Sequence, residues 1–225
     1  MDKEKVIKEG FIRFKFSPKE AKTQLNNSES FYNLLNQRRS IREFSDKPIA
    51  DGIIKNIIKT ASTAPSGAHK QPWFFCVVKS TEMKRKIKEA AEKEEYENYN
   101  GRMSDEWLAD LEKFDTNWQK PFLEIAPALI VVFKKTYDYE NGDKTKNYYV
   151  NESVGLATGI LLAAIQNAGL VALTHTPSPL NFLSEVLDRP KNEKPFLLIP
   201  IGYPSEGATV PILERKPIRE IMKEY

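Results

Sequence analysis

Apolar positions recur mostly at helical spacing along this chain, and only a few runs are short and continuous enough to be strands. Ser28-Glu29-Ser30 reads as the opening of a helix whose Phe31, Leu34 and Leu35 share a face, and the segment 51–60 repeats Ile53, Ile54, Ile57 and Ile58 at the same spacing. Both are expected to face a core. A turn-rich stretch of small residues, Ser62-Thr63-Ala64-Pro65-Ser66-Gly67-Ala68-His69, leads into a strand over 73–78. Thr81 is placed to cap a long, highly charged helix running to about Tyr99, and Ser104 to cap another that carries Trp107, Leu108 and Leu111. These two helices are weakly apolar, which predicts a partly exposed excursion.

The second half opens with a strand at 128–133 and an Asn141-Gly142 turn. The most apolar helix follows, from about Tyr149 to Ala168, with Gly169 as the residue that ends it. Val154, Leu156, Ile160, Leu161, Leu162 and Ile165 point around nearly its whole circumference, so it must be covered on every side. A subunit interface would cover the second face, and a homodimer is expected. Short strands follow at 170–174 and 196–203. The segment from Pro204 onward carries Pro204, Pro211 and Pro217 without periodicity and is expected to be extended.

Composition narrows the possibilities. At 225 residues without a polar linker, internal repeat or low-complexity tract, the chain fits one mixed α/β domain. Lys and Arg exceed Asp and Glu by 34 minus 31, or three, which gives no field suited to nucleic acid or an anionic membrane surface. No apolar run approaches the roughly 20 residues of a membrane helix. The lead Met1-Asp2-Lys3-Glu4-Lys5 has no apolar signal core, so a soluble, cytoplasmic protein is expected. Cys76, the only cysteine, lies among Phe74, Phe75, Val77 and Val78 and reads as buried core. With that and two histidines, His69 and His175, no metal site is expected.

Chemistry concentrates in Arg38-Arg39-Ser40-Ile41-Arg42, where three guanidinium groups and a hydroxyl occupy five residues. Arginine's planar fork of donors matches phosphate or carboxylate and stays charged at any working pH, so this is a candidate anion clamp. A solvated basic helix end is the plainer alternative. A second candidate is Glu95 and Tyr99, spaced i, i+4 on the charged helix, with Lys120 a short distance on. A carboxylate, a phenol and an ammonium suit the two charges of an amino-acid zwitterion; an ordinary solvated helix face is the alternative.

Taken in order, Arg38 to Arg42, the loop Thr63 to His69 followed by Gln71-Pro72-Trp73, and the late Arg215-Lys216-Pro217 resemble the nitroreductase flavoprotein superfamily across nearly the whole chain. The stretch with Glu95, Tyr99, Arg102-Met103, Trp107 and Thr116-Asn117-Trp118-Gln119-Lys120 resembles the lid of the iodotyrosine deiodinases within it. The resemblance implies an α+β, nitroreductase-like fold: a central mixed antiparallel sheet flanked by helices, in an intertwined homodimer with exchanged terminal segments. It implies a single FMN-binding domain over 1–225, with a lid at approximately 92–120.

It also implies roles. Arg38, Arg39, Ser40, Arg42 and Arg215 would hold the FMN phosphate and pyrimidine edge, and Pro65, Ser66, Thr174, His175 and Thr176 would contact the flavin. Thr176 would donate a hydrogen bond near flavin N5, favouring single-electron transfer, and is the candidate catalytic residue. Glu95 would meet the substrate ammonium, Lys120 and Tyr99 its carboxylate, and the Ala68 N–H its phenolate oxygen. The implied reaction is reductive dehalogenation of 3-halotyrosines, fed by an unidentified reductase or by NAD(P)H. The alternatives are a general NAD(P)H-dependent nitroreductase or quinone reductase, which needs no zwitterion-binding set, and a non-enzymatic flavin-binding redox protein. The animal enzymes of the group carry an N-terminal membrane anchor, whereas this chain begins with a charged, polar lead, as expected of a soluble prokaryotic homologue.

Overall fold

The computed structural model describes residues 6–8 and 10–225, and it divides into two compact units, residues 1–37 and 38–225. The reading of Met1 to Lys5 falls outside the described residues. In the first unit, strands β1 (Val6–Lys8) and β2 (Phe11–Ile12) pair antiparallel ahead of helix α1 (Ala21–Asn36). Helix α1 starts seven residues before Ser28, because the Ser28 hydroxyl donates back to Leu25 O within the helix instead of capping it. No residue of α1 is buried, so its expected core-facing role is not met within the chain.

The second unit is built on a sheet whose central strands bury both faces. Its strands are β3 (Phe44–Ser45), β4 (Trp73–Val78), β5 (Ala128–Lys135) and, much later, the twelve-residue strand Glu193–Pro204. Between them lie α2 (Ile53–Ala61), α3 (Thr81–Glu97), α4 (Asp105–Glu112), α5 (Phe122–Ile125), the hairpin strands β6 (Tyr137–Glu140) and β7 (Asp143–Lys146), and α6 (Val150–Asn167). Strand β8 (Val171–Ala172) and α7 (Phe182–Val186) precede the long strand, numbered β9. The order is β3-β9-β5-β4, with β8 also on β9, and every ladder is antiparallel. A single parallel bridge joins Ser40 to Ala172. The Asn141-Gly142 turn closes the β6–β7 hairpin, with both residues in left-handed backbone.

Alternation along β5 divides the core in two. Ile130 and Val132 pack with α2 and α6 on one face; Leu129, Val131 and Phe133 pack with Ile87, Leu123 and Leu183 on the other. Strand β4 is an edge, so Phe74 and Val77 are exposed and Cys76 is only half-buried, correcting its assignment to the core. Helix α3 is capped by Ser80, whose hydroxyl accepts from Met83 N, and not by Thr81; Ser104 caps α4 as expected, accepting from Trp107 N. Helix α6 buries Val154, Ala157, Leu161 and Ile165 but leaves Leu156 52% exposed, so one apolar face is open in the single chain.

Gly202 in β9 runs against Pro127. An added Cβ there would lie 2.5 Å from Pro127 Cδ, in a core with no flexible atom to yield. Gly202→Ala is expected to lower unfolding stability by about 1–3 kcal/mol, read as a lower denaturation midpoint at unchanged slope.

Candidate functional site

The arginine cluster lies between the two units' boundary and β3, and the parallel bridge at Ser40–Ala172, with the Ile41 N–H to Ala172 O bond at 3.2 Å, fixes it beside β8. A cleft of about 430 Å³ is lined by Arg38, Arg39, Ser40, Arg42, Thr174 and Arg215, together with Phe114. Arg215 Nη2 donates to Arg38 O at 3.2 Å, and Arg39 donates to Pro211 O, so the C-terminal segment closes one wall. Five of the predicted flavin-binding side chains from the N-terminal cluster and the C-terminal segment, plus Thr174, therefore converge.

Thr174 and Thr176 are exposed, and between them His175 is turned inward, 8% exposed and edge-on to Phe122 at 5.4 Å between ring centroids. Extended backbone puts successive side chains on opposite sides. Thr174 and Thr176 thus lie opposite the His175 ring, while the His175 N–H donates to Leu198 O at 2.8 Å and its C=O accepts from Leu198 N at 3.2 Å. The ring Nε2 of His175 is buried without a hydrogen-bond partner among the described residues. Burial first, then the charges of Lys120 and Arg42, push its pKa down to about 3.

The second cluster is built on α3. The buried positions of that helix form one stripe, Lys84, Ile87, Ala91, Glu95, continued by Asn98, so Glu95 sits where an apolar residue would ordinarily pack. Its carboxylate meets Lys120 Nζ at 3.2 Å, with Glu95 6% and Lys120 3% exposed. Lys120 Nζ also donates to Thr116 Oγ1 at 3.4 Å and to Asn117 O, and stands 5.2 Å from the centre of the Tyr99 ring. The Tyr99 hydroxyl donates to Thr116 O at 3.3 Å. All three predicted substrate residues are thus brought together. Burial raises the Glu95 carboxyl and lowers the Lys120 ammonium, and each is held toward its charged form by the other. Burial also raises the Tyr99 phenol, while Arg42 lies close enough to act on both Tyr99 and Lys120. Arg42 stacks on Phe114 at 5.3 Å, and both line the arginine cleft. Phe114 and Thr116 were missed as contributors, although Thr116 stands in the lid motif itself.

The loop holding Pro65, Ser66 and Ala68 lines neither that cleft nor the neighbouring one of about 400 Å³ around Lys113 and Asp115. It carries left-handed backbone at three non-glycine residues, Ala68, His69 and Gln71, with φ of 49°, 56° and 47°. Such strain persists only where the surroundings impose it. Ser66 Oγ accepts from Gln71 N at 2.9 Å, His69 N and Lys70 N close turns onto Ser66 O and Gly67 O, and the Ala68 N–H takes part in none of these bonds. Gly67 is pressed against Tyr149, where a Cβ would lie 3.0 Å from the ring.

The chain is 59% identical to the iodotyrosine deiodinase of Haliscomenobacter hydrossis over 97% of its own length and 99% of that protein's, and 50% identical to iodotyrosine deiodinase 1 of Homo sapiens over 89% and 70%. A model of the nitroreductase family matches residues 35–203. The chain belongs to the nitroreductase family, within its iodotyrosine deiodinase group. Among solved structures, oxidised iodotyrosine deiodinase bound to FMN and 3-iodo-L-tyrosine superposes with a TM-score of 0.73 at 28% identity, over 83% of this chain and 96% of that one. A BluB-like flavoprotein from Clostridium difficile shares the fold, with a TM-score of 0.66 at 22% identity over 86% and 97%. The α+β nitroreductase-like fold with its antiparallel sheet follows. Among the described residues no cluster of His, Cys, Asp and Glu could hold a metal, and no helix is long and apolar enough to cross a membrane.

The depressed His175 has a stability consequence. Unfolded, the ring takes a proton near its ordinary pKa of 6.5; folded, it stays neutral down to about 3. Its contribution is therefore intact above 6.5 and is lost as pH falls through that window, by up to about 1.4 kcal/mol per pH unit. Replacing His175 by Gln is expected to flatten the loss of stability between pH 6.5 and 4, measured by denaturant unfolding against the parent protein.

Proposed function

We propose that this protein is an FMN-dependent iodotyrosine deiodinase, carrying out reductive dehalogenation of 3-halotyrosines to tyrosine and halide. The observation that carries the reading is the buried set of Glu95, Tyr99 and Lys120. A nitroaromatic or quinone has no paired charges to satisfy it, whereas the ammonium and carboxylate of a free amino acid do.

The residues fit FMN. Several fixed guanidinium donors around one cleft are the chemistry a phosphate dianion requires, and Arg38, Arg39, Arg42 and Arg215 would hold it with Ser40. Thr174 and Thr176 would face the ring with their hydroxyls, His175 with its backbone, and Pro65 and Ser66 would approach it from the loop. When bound, the flavin supplies the electron pair that, with a proton, replaces a carbon–halogen bond by carbon–hydrogen. The protein's share is placement. Glu95 takes the ammonium; Lys120 and Tyr99 take the carboxylate; the Ala68 N–H, fixed by its strained turn, meets the phenolate oxygen and favours the more acidic phenol of a halotyrosine. Thr176 adds a hydroxyl donor beside the reacting ring, and the lid over about 92–120 excludes water when closed.

The reading includes a homodimer with exchanged terminal segments. It is supported by the open apolar face of α6, by the absence of any buried residue in α1, and by tail residues such as Ile212, 98% exposed, and Ile221. Placement of the Pro65–Ala68 loop outside the arginine cleft supports a site completed by a second copy. A single FMN-binding domain over 1–225, a cytoplasmic location, and reduction by a separate reductase or by NAD(P)H complete it.

Loaded with FMN, the protein is expected to show flavin fluorescence quenched by 3-iodotyrosine far more than by tyrosine. Anaerobic turnover with dithionite should release tyrosine and iodide in equal amounts. Glu95→Gln should weaken iodotyrosine binding by about 100-fold or more, since it leaves the substrate's ammonium buried without a counter-charge in the complex. Should FMN bind while iodotyrosine neither quenches nor reacts, and a nitroaromatic is reduced instead, the general nitroreductase reading replaces this one.

A further inference from the structure

Lys120 is held at three points by one stripe of α3 and its continuation. Tyr99 lies under its ammonium, Glu95 pairs with that ammonium, and one turn earlier Glu92 Oε1 accepts the Lys120 backbone N–H at 2.7 Å. Positions 92, 95 and 99 are spaced i, i+3 and i+7, so they share a helix face. The Glu92 bond is charge-assisted and short, and its side chain is largely covered. Its other oxygen stands 4.0 Å from Lys88 Nζ, and Lys88 reaches Glu124 on α5 at 3.4 Å. The segment where the lid rejoins the fold is therefore fastened to α3 on both sides of Pro121.

We propose that Glu92 is a positioning residue for zwitterion recognition: by fixing the backbone of Lys120 relative to Glu95, it sets the separation of the two charges that receive the substrate's carboxylate and ammonium. This rests on the reading of Glu95, Tyr99 and Lys120 as the amino-acid subsite. Without Glu92, Lys120 can still pair with Glu95 and its C=O still accepts from Leu123 N, but its backbone loses its tie to α3, and with it the separation matched to an α-amino acid. Glu92 touches no reacting atom, and the halophenol ring is held elsewhere.

The test uses FMN-loaded protein and two ligands, 3-iodotyrosine and 2-iodophenol, which shares the ring and halogen but carries neither charge. The quantity read is the ratio of their dissociation constants from flavin fluorescence. Glu92→Ala is expected to weaken iodotyrosine binding about tenfold while changing iodophenol binding by less than about twofold, with Glu92→Gln between Ala and the parent because it keeps an acceptor oxygen. A general structural fault would weaken both ligands alike and leave the ratio unchanged. That result, or undiminished iodotyrosine binding in both variants, would overturn the role of Glu92 while Glu95→Gln still collapses the ratio. A ratio untouched by Glu95→Gln would instead remove the zwitterion subsite on which the inference stands.

Discussion

The buried pair of Glu95 and Lys120 is the constraint around which the chain between α3 and α5 is arranged. Two charges taken out of water are tolerated only when they meet each other and their remaining hydrogen-bonding capacity is filled. That requirement explains why the chain, after leaving α3 for an exposed excursion through α4, returns so that Thr116, Asn117 and Lys120 close over Glu95 and Tyr99. Phe122 and Leu123, just beyond Lys120, return the chain to the core, whereas α4 contributes no buried residue. The segment from Thr116 to Lys120 is fastened by charge and hydrogen bonds where the rest of the unit is fastened by its two-faced sheet.

On the proposed reading the same constraint gives selectivity. An amino-acid zwitterion can enter between the two groups and replace each one's partner, leaving every charge matched. A ligand with only one charge, or none, would separate the pair without compensation. The cost of a buried, unpaired ion then acts against the wrong ligand, which is a stronger filter than any difference in apolar contact.

Legibility in the sequence followed the strength of local signals. The strands of 73–78, 128–133 and 196–203, the Gly169 helix stop and the Ser104 cap were readable, because period, turn chemistry and capping all act over a few residues. The start of α1 was not, because Ser28 can serve either as a cap or as a mid-helix side chain bonding backward, and only the flanking chain decides. Cys76 was misplaced since a continuous apolar run does not say whether its strand is central or at an edge. Within the site, residue type and spacing made the arginine cluster and the i, i+4 pair candidates beside the plainer reading of solvated helix surface, and the family resemblance decided between the two. The stacking of Arg42 on Phe114 was not, because a lone aromatic in a charged helix end looks like any half-buried side chain. Glu95 had a signal that periodicity alone could have given: it continues the stripe of Ile87 and Ala91, and a carboxylate on a buried stripe demands a partner.

The loop of Ser66, Gly67 and Ala68 carries the argument beyond one chain. Left-handed backbone at Ala68, His69 and Gln71 costs on the order of 1–3 kcal/mol per residue, and glycine at any of them would relieve it. The surroundings hold it in place: Ser66 Oγ spans the turn to Gln71 N, and the Tyr149 ring fills the space beside Gly67. Such rigidity would be wasted on a surface turn. On the proposed reading it has a purpose, since the Ala68 N–H, which takes no part in the turn's own bonds, must point at one ligand oxygen. This donor sits apart from the arginine cleft of its own chain, and α6 beside it presents an uncovered apolar face; on the proposed reading, a second copy covers that face and brings the strained loop of one protomer to the arginine cleft of the other.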